Sequence, residues 1–281
     1  MGELSPVISV NKLMELQNNE QVILIDSRYG NEAHQEYQNG HLKGALFVDL
    51  DQDLADIKDN PAHGGRHPLP TVKHFVGVLN RLGISNGSRV VIYDNNSGAF
   101  ASRMWWMLKS IGHEKVHVLD GGYDIALKSD YPIAVGEEQL PSKVEYIGTC
   151  WNWPIANMED VAQAVQSENS IVIDVRSNER YKGVEEPIDL IAGHIPGAVN
   201  IPFVGNLSSS KTYLKPLELA EKYRIALVEN PSEEIIVHCG SGVTACHTIL
   251  AMSIAKMPVP KLYVGSWSEW SRNNKPIATD K

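Results

Sequence analysis

The 281-residue chain is 43% hydrophobic and 21% charged, with no low-complexity tract, which suits one large folded domain or two of ordinary size. Its formal charge of −9, from 25 Lys and Arg against 34 Asp and Glu, is broken by no basic cluster, so nucleic acid and anionic membranes are excluded as partners. No apolar run approaches the roughly 20 residues of a spanning helix, and the start MGELSPVISVNKLMELQ lacks the basic-then-apolar order of a secretory signal.

The elements then run through the chain twice in the same order. Asn11–Gln17 reads as a helix, and VILIDSR (22–28) as a strand ending in Asp26 and Arg28. GHLKGALFVDL (40–50) is a turn and strand, followed by the loops VDLDQD (48–53) and GRHPLP (65–70) and a helix over Thr71–Leu82. RVVIYDNNSGAFAS (89–102) is a strand and loop leading into a helix over Ala101–Ile111, and VLDGGY (118–123) ends the half. Residues 134–157, with two prolines and no sustained period, are a linker that Tyr146, Trp151 and Trp153 pack along the surface.

Beyond it the pattern repeats. A helix spans Met158–Gln166, IVIDVR (171–176) answers VILIDSR, and GHIPGAVNIPF (193–203) answers GHLKGALFVDL. After a helix over Leu217–Ala226, EIIVHCGSGVTAC (234–246) answers the strand and loop at 89–102, and a helix covers Val243–Ala255. KLYVGSW (261–267) answers VLDGGY. A domain of about 120 residues is duplicated. The fold class is α/β, each copy a mainly parallel sheet flanked by helices. The predicted organisation is a first domain over 6–133, a linker over 134–157 and a second domain over 158–278.

Cysteines stand at 150, 239 and 246, and neither they nor the ten histidines show zinc-ligand spacing. Free thiols in a reducing, cytoplasmic compartment are expected, with no metal and no cofactor. Cys239 sits where an apolar strand gives way to a Gly-x-Gly loop and then a helix. Loop and helix-start amides there can stabilise an anion, and Gly240 and Gly242 let backbone approach the sulfur. The other copy sets Asn95, or with a slide of one Asp94, at this point, so only the second copy can use a thiol. Cys246, two turns into the helix, reads as core packing, and Cys150 as a bystander in the linker. The repeated Asp26/Arg28 and Asp174/Arg176, and His41 and His194, recur in the thiol-free half and therefore read as structural. Trp267 and Trp270 either wall the pocket or fill the core.

The Asp-x-Arg strand end, the GHIPGA turn, the strand–Cys–loop–helix and the duplication resemble the two-domain rhodanese-like sulfurtransferases over nearly the whole chain. CGSGVTAC (239–246) is similar to the loop of 3-mercaptopyruvate sulfurtransferases, whereas thiosulfate-specific members have Arg-Lys after the cysteine. GSWSEW (265–270) is similar to the family's closing motif. The resemblance implies a small-molecule sulfur donor, a Cys239 persulfide and transfer to cyanide, a thiol or thioredoxin. The alternatives it leaves are a thiosulfate:cyanide sulfurtransferase and a persulfide carrier acting on a protein.

It also implies roles for residues. Ser241 would work with His67 and Asp51 in a proton relay, unless Ser241 and Thr244 are only loop and capping residues. Arg180 would hold the donor's anionic group, unless it merely pairs with Glu179, Glu185 or Glu186. Gly240, Gly242, Val243 and Thr244 would line the donor site with their amides. The family's second arginine is missing, with Ile188 near its place, and Lys182 is the candidate substitute. Neutral Gly240 and Ser241 favour mercaptopyruvate, a monocarboxylate charged away from its sulfur, over the compact thiosulfate dianion. A cysteine phosphatase is excluded, because Ala245 stands where its phosphate-clamping arginine would be.

Overall fold

The computed structural model describes residues 5–228 and 234–280. Runs of β-branched residues form its strands and the breaker-free stretches between them its helices. The first half contains β1 (Val7–Ile8), α1 (Val10–Asn19), β2 (Val22–Asp26), α2 (Ala33–Asn39), β3 (His41–Leu42), β4 (Ala45–Phe47), α3 (Leu50–Asp53), α4 (Val72–Arg81), β5 (Arg89–Tyr93), α5 (Ala101–Ser110), β6 (Val116–Leu119), α6 (Gly122–Lys128) and β7 (Ile133–Ala134). The second contains β8 (Ile155–Ala156), α7 (Met158–Ala164), β9 (Ser170–Asp174), α8 (Asn178–Lys182), β10 (Val199–Asn200), α9 (Pro216–Val228), β11 (Glu234–His238), α10 (Thr244–Ile254), β12 (Lys261–Tyr263) and α11 (Ser266–Trp270). Polar caps start several helices. Ser9 accepts from the Lys12 amide, Thr71 from the His74 amide, and Asn157 forms a capping box with Asp160.

Two compact units result, and they do not follow the halves of the sequence. The first takes residues up to Ala55, Pro70–Asn152 and Ser209–Tyr213; the second takes Asp56–Leu69, Trp153–Ser208 and residues from Leu214 on. Each therefore includes a short segment from the opposite half. In the first unit Tyr213 N–H donates to Asp120 Oδ1 at 2.8 Å. In the second, Gly64 N–H donates to Glu269 Oε1 at 2.8 Å and Arg66 N–H to Ser268 Oγ at 3.0 Å.

Each unit is built on a five-stranded parallel sheet. The orders are β1-β6-β5-β2-β4 and β8-β12-β11-β9-β10, one topology used twice. Shared register fixes which residues correspond: Tyr93 pairs with Asp26 as His238 pairs with Asp174. Asp94, the next residue, is thus the counterpart of Cys239. In the segment read as a linker, Tyr146 N–H donates to Asn80 Oδ1 at 2.8 Å and Trp151 packs on Phe75 and Trp106, within the first unit. Its ends lie in β7 and β8, two-residue strands too short to show a period.

The repeated polar pairs hold the turns. Arg28 Nη2 donates to Asp26 Oδ2 at 2.6 Å and to Gly40 O at 2.9 Å, and Arg176 Nη2 to Asp174 Oδ2 and Gly193 O, both at 2.7 Å. Each guanidinium also lies over an aromatic ring, Tyr123 at 4.6 Å and Trp267 at 4.7 Å. His41 stacks on Tyr37 and His194 on Tyr181, each with Nδ1 at the carbonyl of the residue it stacks on. Trp267 and Trp270 are buried core, their indole N–H groups donating to Ile191 O and Pro276 O at 2.8 Å.

Candidate active site

Cys239 leaves the end of β11 and α10 begins at Thr244, five residues later. The cysteine is buried, and its own peptide group is fixed on both sides. Its N–H donates to Ser266 Oγ at 3.2 Å, and its carbonyl accepts from Trp267 N–H at 3.0 Å. Ser268 N–H donates to Gly240 O at 2.9 Å, so SWSEW docks along the loop backbone. Gly242 has φ +74, and a β-carbon there would stand 2.6 Å from Val264 O. Only glycine allows both that conformation and that approach. No side chain caps α10, whose start meets the loop.

The thiol-free unit shows what such a loop holds. Asp94 Oδ1 accepts from the amides of Asn96 and Gly98, both at 2.8 Å. Its Oδ2 accepts from Phe100 at 2.7 Å and Ala101 at 2.8 Å. Burial pushes this carboxyl up, against the pull of the four donors. The position of Cys239 is therefore, in the other copy, that of a four-coordinate oxyanion. The first loop runs two residues longer, Asp94 to Phe100 against Cys239 to Val243. That difference is why the Ser-Gly dipeptides placed Asn95, rather than Asp94, opposite the thiol.

His67 and Ser241 are brought together: Nδ1 and Oγ lie 2.7 Å apart, both residues buried. The histidine arrives on the 56–69 segment, within the second unit, and His63 is exposed. Gly65, with φ +81, lets this segment press directly on the Gly265 carbonyl. Asp51 lies in the first turn of α3, in the first unit.

Arg180 lies beside the loop but is not free. Its Nε and Nη2 bond Glu186, the latter at 2.7 Å, and Nη2 also reaches Asp189 Oδ2 at 3.1 Å. Burial pushes Glu186 up, yet Arg180 and the amides of Asp189 and Ile188 hold its carboxyl below the usual range. Lys182 is exposed at the end of α8, and Ile188 is exposed as well.

Sequence reading missed Arg66, Asp189 and Arg272. The fully buried Asp189 carboxylate accepts from Arg66 Nε at 3.0 Å, Arg180 Nη2 at 3.1 Å and Arg272 Nη1 at 3.4 Å. With Arg176 on Asp174 and Glu186, four guanidiniums face three carboxylates, leaving one cation in excess. The loop has no cation of its own, but its surroundings supply one. The only available signal was GRHPLP itself, where Arg66 directly precedes the relay histidine.

Two neighbours of Cys239 add no charge. Burial pushes His238 below the usual imidazole range although Asp174 Oδ2 lies 3.8 Å from its Nε2. Cys246 is buried and donates from Sγ to Gly242 O at 3.4 Å. Cys150 is exposed rather than packed. Among the described residues no helix is long and apolar enough to cross a membrane.

The rhodanese-like domain model matches this chain twice, over residues 9–125 and 157–273. A protein of Pseudomonas aeruginosa described as a probable 3-mercaptopyruvate sulfurtransferase is 38% identical over 91% of this chain and 89% of its own. The thiosulfate sulfurtransferase of Rattus norvegicus is 36% identical over 87% and 82% respectively. The crystal structure of the Escherichia coli 3-mercaptopyruvate sulfotransferase SseA superposes with a TM-score of 0.75 at 30% identity, covering 95% of this chain and all of that one. With the strand order, the Cys239 loop and both domain matches in agreement, the chain belongs to the rhodanese-like family and is a sulfurtransferase with two such domains in tandem.

Proposed function

We propose that the chain transfers sulfur from 3-mercaptopyruvate through a persulfide on Cys239. The observation that carries this reading is the matched pair of loops, a thiol in one unit and a four-coordinate carboxylate at the same place in the other. A cradle whose amides hold an oxyanion in one copy also suits a thiolate and a persulfide anion in the other.

Cys239 thiolate attacks the donor's sulfur. An S–S bond forms, the C–S bond breaks, and its electron pair passes to the pyruvate enolate. That enolate takes a proton at carbon from Ser241, which His67 reprotonates. An acceptor thiolate, on a small thiol or thioredoxin, then attacks the outer sulfur, forms a new persulfide and releases Cys239 thiolate; cyanide would leave as thiocyanate. Arg180 holds the donor carboxylate. Three unpaired cysteines, one of which must stay reduced, suit the cytoplasm.

The excess cation favours a second reading, thiosulfate as donor, and the two are separated by running both donors side by side with cyanide as acceptor. The proposal expects a higher kcat/KM for mercaptopyruvate; a higher value for thiosulfate overturns it. A persulfide that forms readily but reaches only a protein acceptor would instead make the chain a carrier.

Two substitutions test the roles. Arg180→Ala should lower kcat/KM by about 1.5–3 kcal/mol, the worth of one charge-assisted contact. It should also cost roughly 1–3 kcal/mol of stability, because buried Glu186 keeps Arg176 but loses its second guanidinium. Arg180→Lys should recover the second loss better than the first. Equal kinetics in all three proteins would reduce Arg180 to a structural ion pair. Ser241→Ala and His67→Gln should each lower kcat with mercaptopyruvate by about 10²–10⁴-fold, the scale of general acid catalysis. Thiosulfate turnover, whose sulfite leaving group needs no proton at carbon, should fall far less. Equal losses with both donors would show that the pair merely shapes the loop.

A further inference from the structure

Lys222 on α9 is the exception in a unit whose sheltered cations are otherwise paired. Arg66, Arg180 and Arg272 meet Asp189, Arg176 meets Asp174, and Lys261 and Lys275 meet glutamates. Lys222 is half-buried and meets no carboxylate among the described residues. Its Nζ donates instead to Asn206 Oδ1 at 2.6 Å, at the end of a one-turn 3₁₀ helix over Phe203–Asn206. The same oxygen accepts from Tyr223 OH at 2.6 Å, and Asn206 Nδ2 lies 3.4 Å from both His247 Nδ1 and Thr248 Oγ1 on α10. The titratable groups of this cluster are therefore Tyr223 and His247, neither of them an anion. Glu218, one turn earlier on α9, accepts from the Lys215 amide, and Glu221 binds Arg224.

An ammonium in this place has lost much of its hydration for one neutral hydrogen bond and the Tyr223 ring 5.2 Å away. Burial accordingly pushes Lys222 down to about 8. The amine is sheltered without being sealed. Position 205 is an exposed glycine, and a β-carbon there would stand 3.2 Å from Nζ, so the missing side chain keeps the approach to nitrogen open. A neutral amine here spends one N–H on Asn206 and keeps its lone pair for an electrophile.

We propose that Lys222 is a covalent modification site that takes acyl groups from small uncharged thioesters. Nζ attacks the carbonyl carbon and a C–N bond forms. The C–S bond breaks with its electron pair leaving on sulfur, and the nitrogen sheds one proton, so an amide and a free thiol result. The cluster has no guanidinium to anchor an acyl phosphate, whereas Val204, 57% exposed beside Gly205, suits an uncharged donor. The proposal is independent of the sulfur-transfer reading.

The test treats the full-length protein with the S-acetyl thioester of N-acetylcysteamine and follows acetylation of each lysine by peptide mass spectrometry. At about pH 7.5 Lys222 should be labelled at least about tenfold faster than the exposed Lys182 and Lys256 in the same sample, whose amines are almost wholly protonated there. Its rate should level off above about pH 8, while theirs keep climbing past about pH 10. Asn206→Asp sets a carboxylate of nearly the same shape against Nζ. It should cut Lys222 labelling at about pH 7.5 by at least about tenfold and leave Lys182 and Lys256 unchanged. The wild-type profile stands whether or not that variant folds. Labelling of Lys222 no faster than Lys182, a rate that follows the exposed lysines past about pH 10, or an unchanged rate in folded Asn206→Asp overturns the proposal.

Discussion

Cys239→Ser is expected to abolish turnover with mercaptopyruvate and thiosulfate alike, by at least about a thousandfold, since it removes the nucleophile and not merely a contact. No other thiol can substitute. Cys246 is buried, with its Sγ committed to Gly242 O, and Cys150 is exposed, in the other unit and outside any amide-lined turn. Wild-type protein treated with donor should carry one added sulfur on the peptide containing Cys239, and Cys246→Ser should leave that signal in place. An added sulfur on the Cys246 or Cys150 peptide would falsify the mechanism.

Asp94→Asn should be the most damaging change in the thiol-free copy. The carboxylate accepts four backbone N–H bonds, two at each oxygen. An asparagine keeps one acceptor and turns an NH₂ group toward two donors, which then have no partner in a fully buried site. Each of the two stranded donors costs roughly 1–3 kcal/mol, so a loss of about 2–6 kcal/mol is expected. Thermal unfolding should then begin roughly 4–24 °C lower for a unit of this size. An unmoved melting curve would show that the loop amides find other acceptors, and the comparison with the thiolate cradle would lose its basis. Cys239 persulfidation, measured below the transition, should survive the change, because Asp94 belongs to the other unit.

Much of the fold was legible because duplication supplies two independent readings of each element. VILIDSR and IVIDVR are both five-residue strands ending in an aspartate that an arginine two residues on binds through its side chain. Cys239 stood out for the same reason, in a loop whose counterpart lacks a thiol. The arginine–carboxylate cluster beside it did not. Arg66, Asp189 and Arg272 lie more than eighty residues from one another along the chain, and no periodicity links them. The sequence reading looked near Ile188 for a second arginine. Arg66 stands beside Gly240 instead, on a segment whose course is set by backbone packing, with Gly65 against Gly265 and the Arg66 amide on Ser268, contacts that leave no trace in residue pattern.

That segment bears on why a copy without a thiol persists. Ordinarily one member of a duplicated pair drifts and can be deleted once its chemistry is gone. Here the first half carries His67 and Arg66 on residues that belong to the second unit, and the second half returns Ser209–Tyr213 to the first. Cutting the gene at the linker would leave each product short of a piece encoded in the other. Neither half of the sequence alone therefore carries all the residues of one unit.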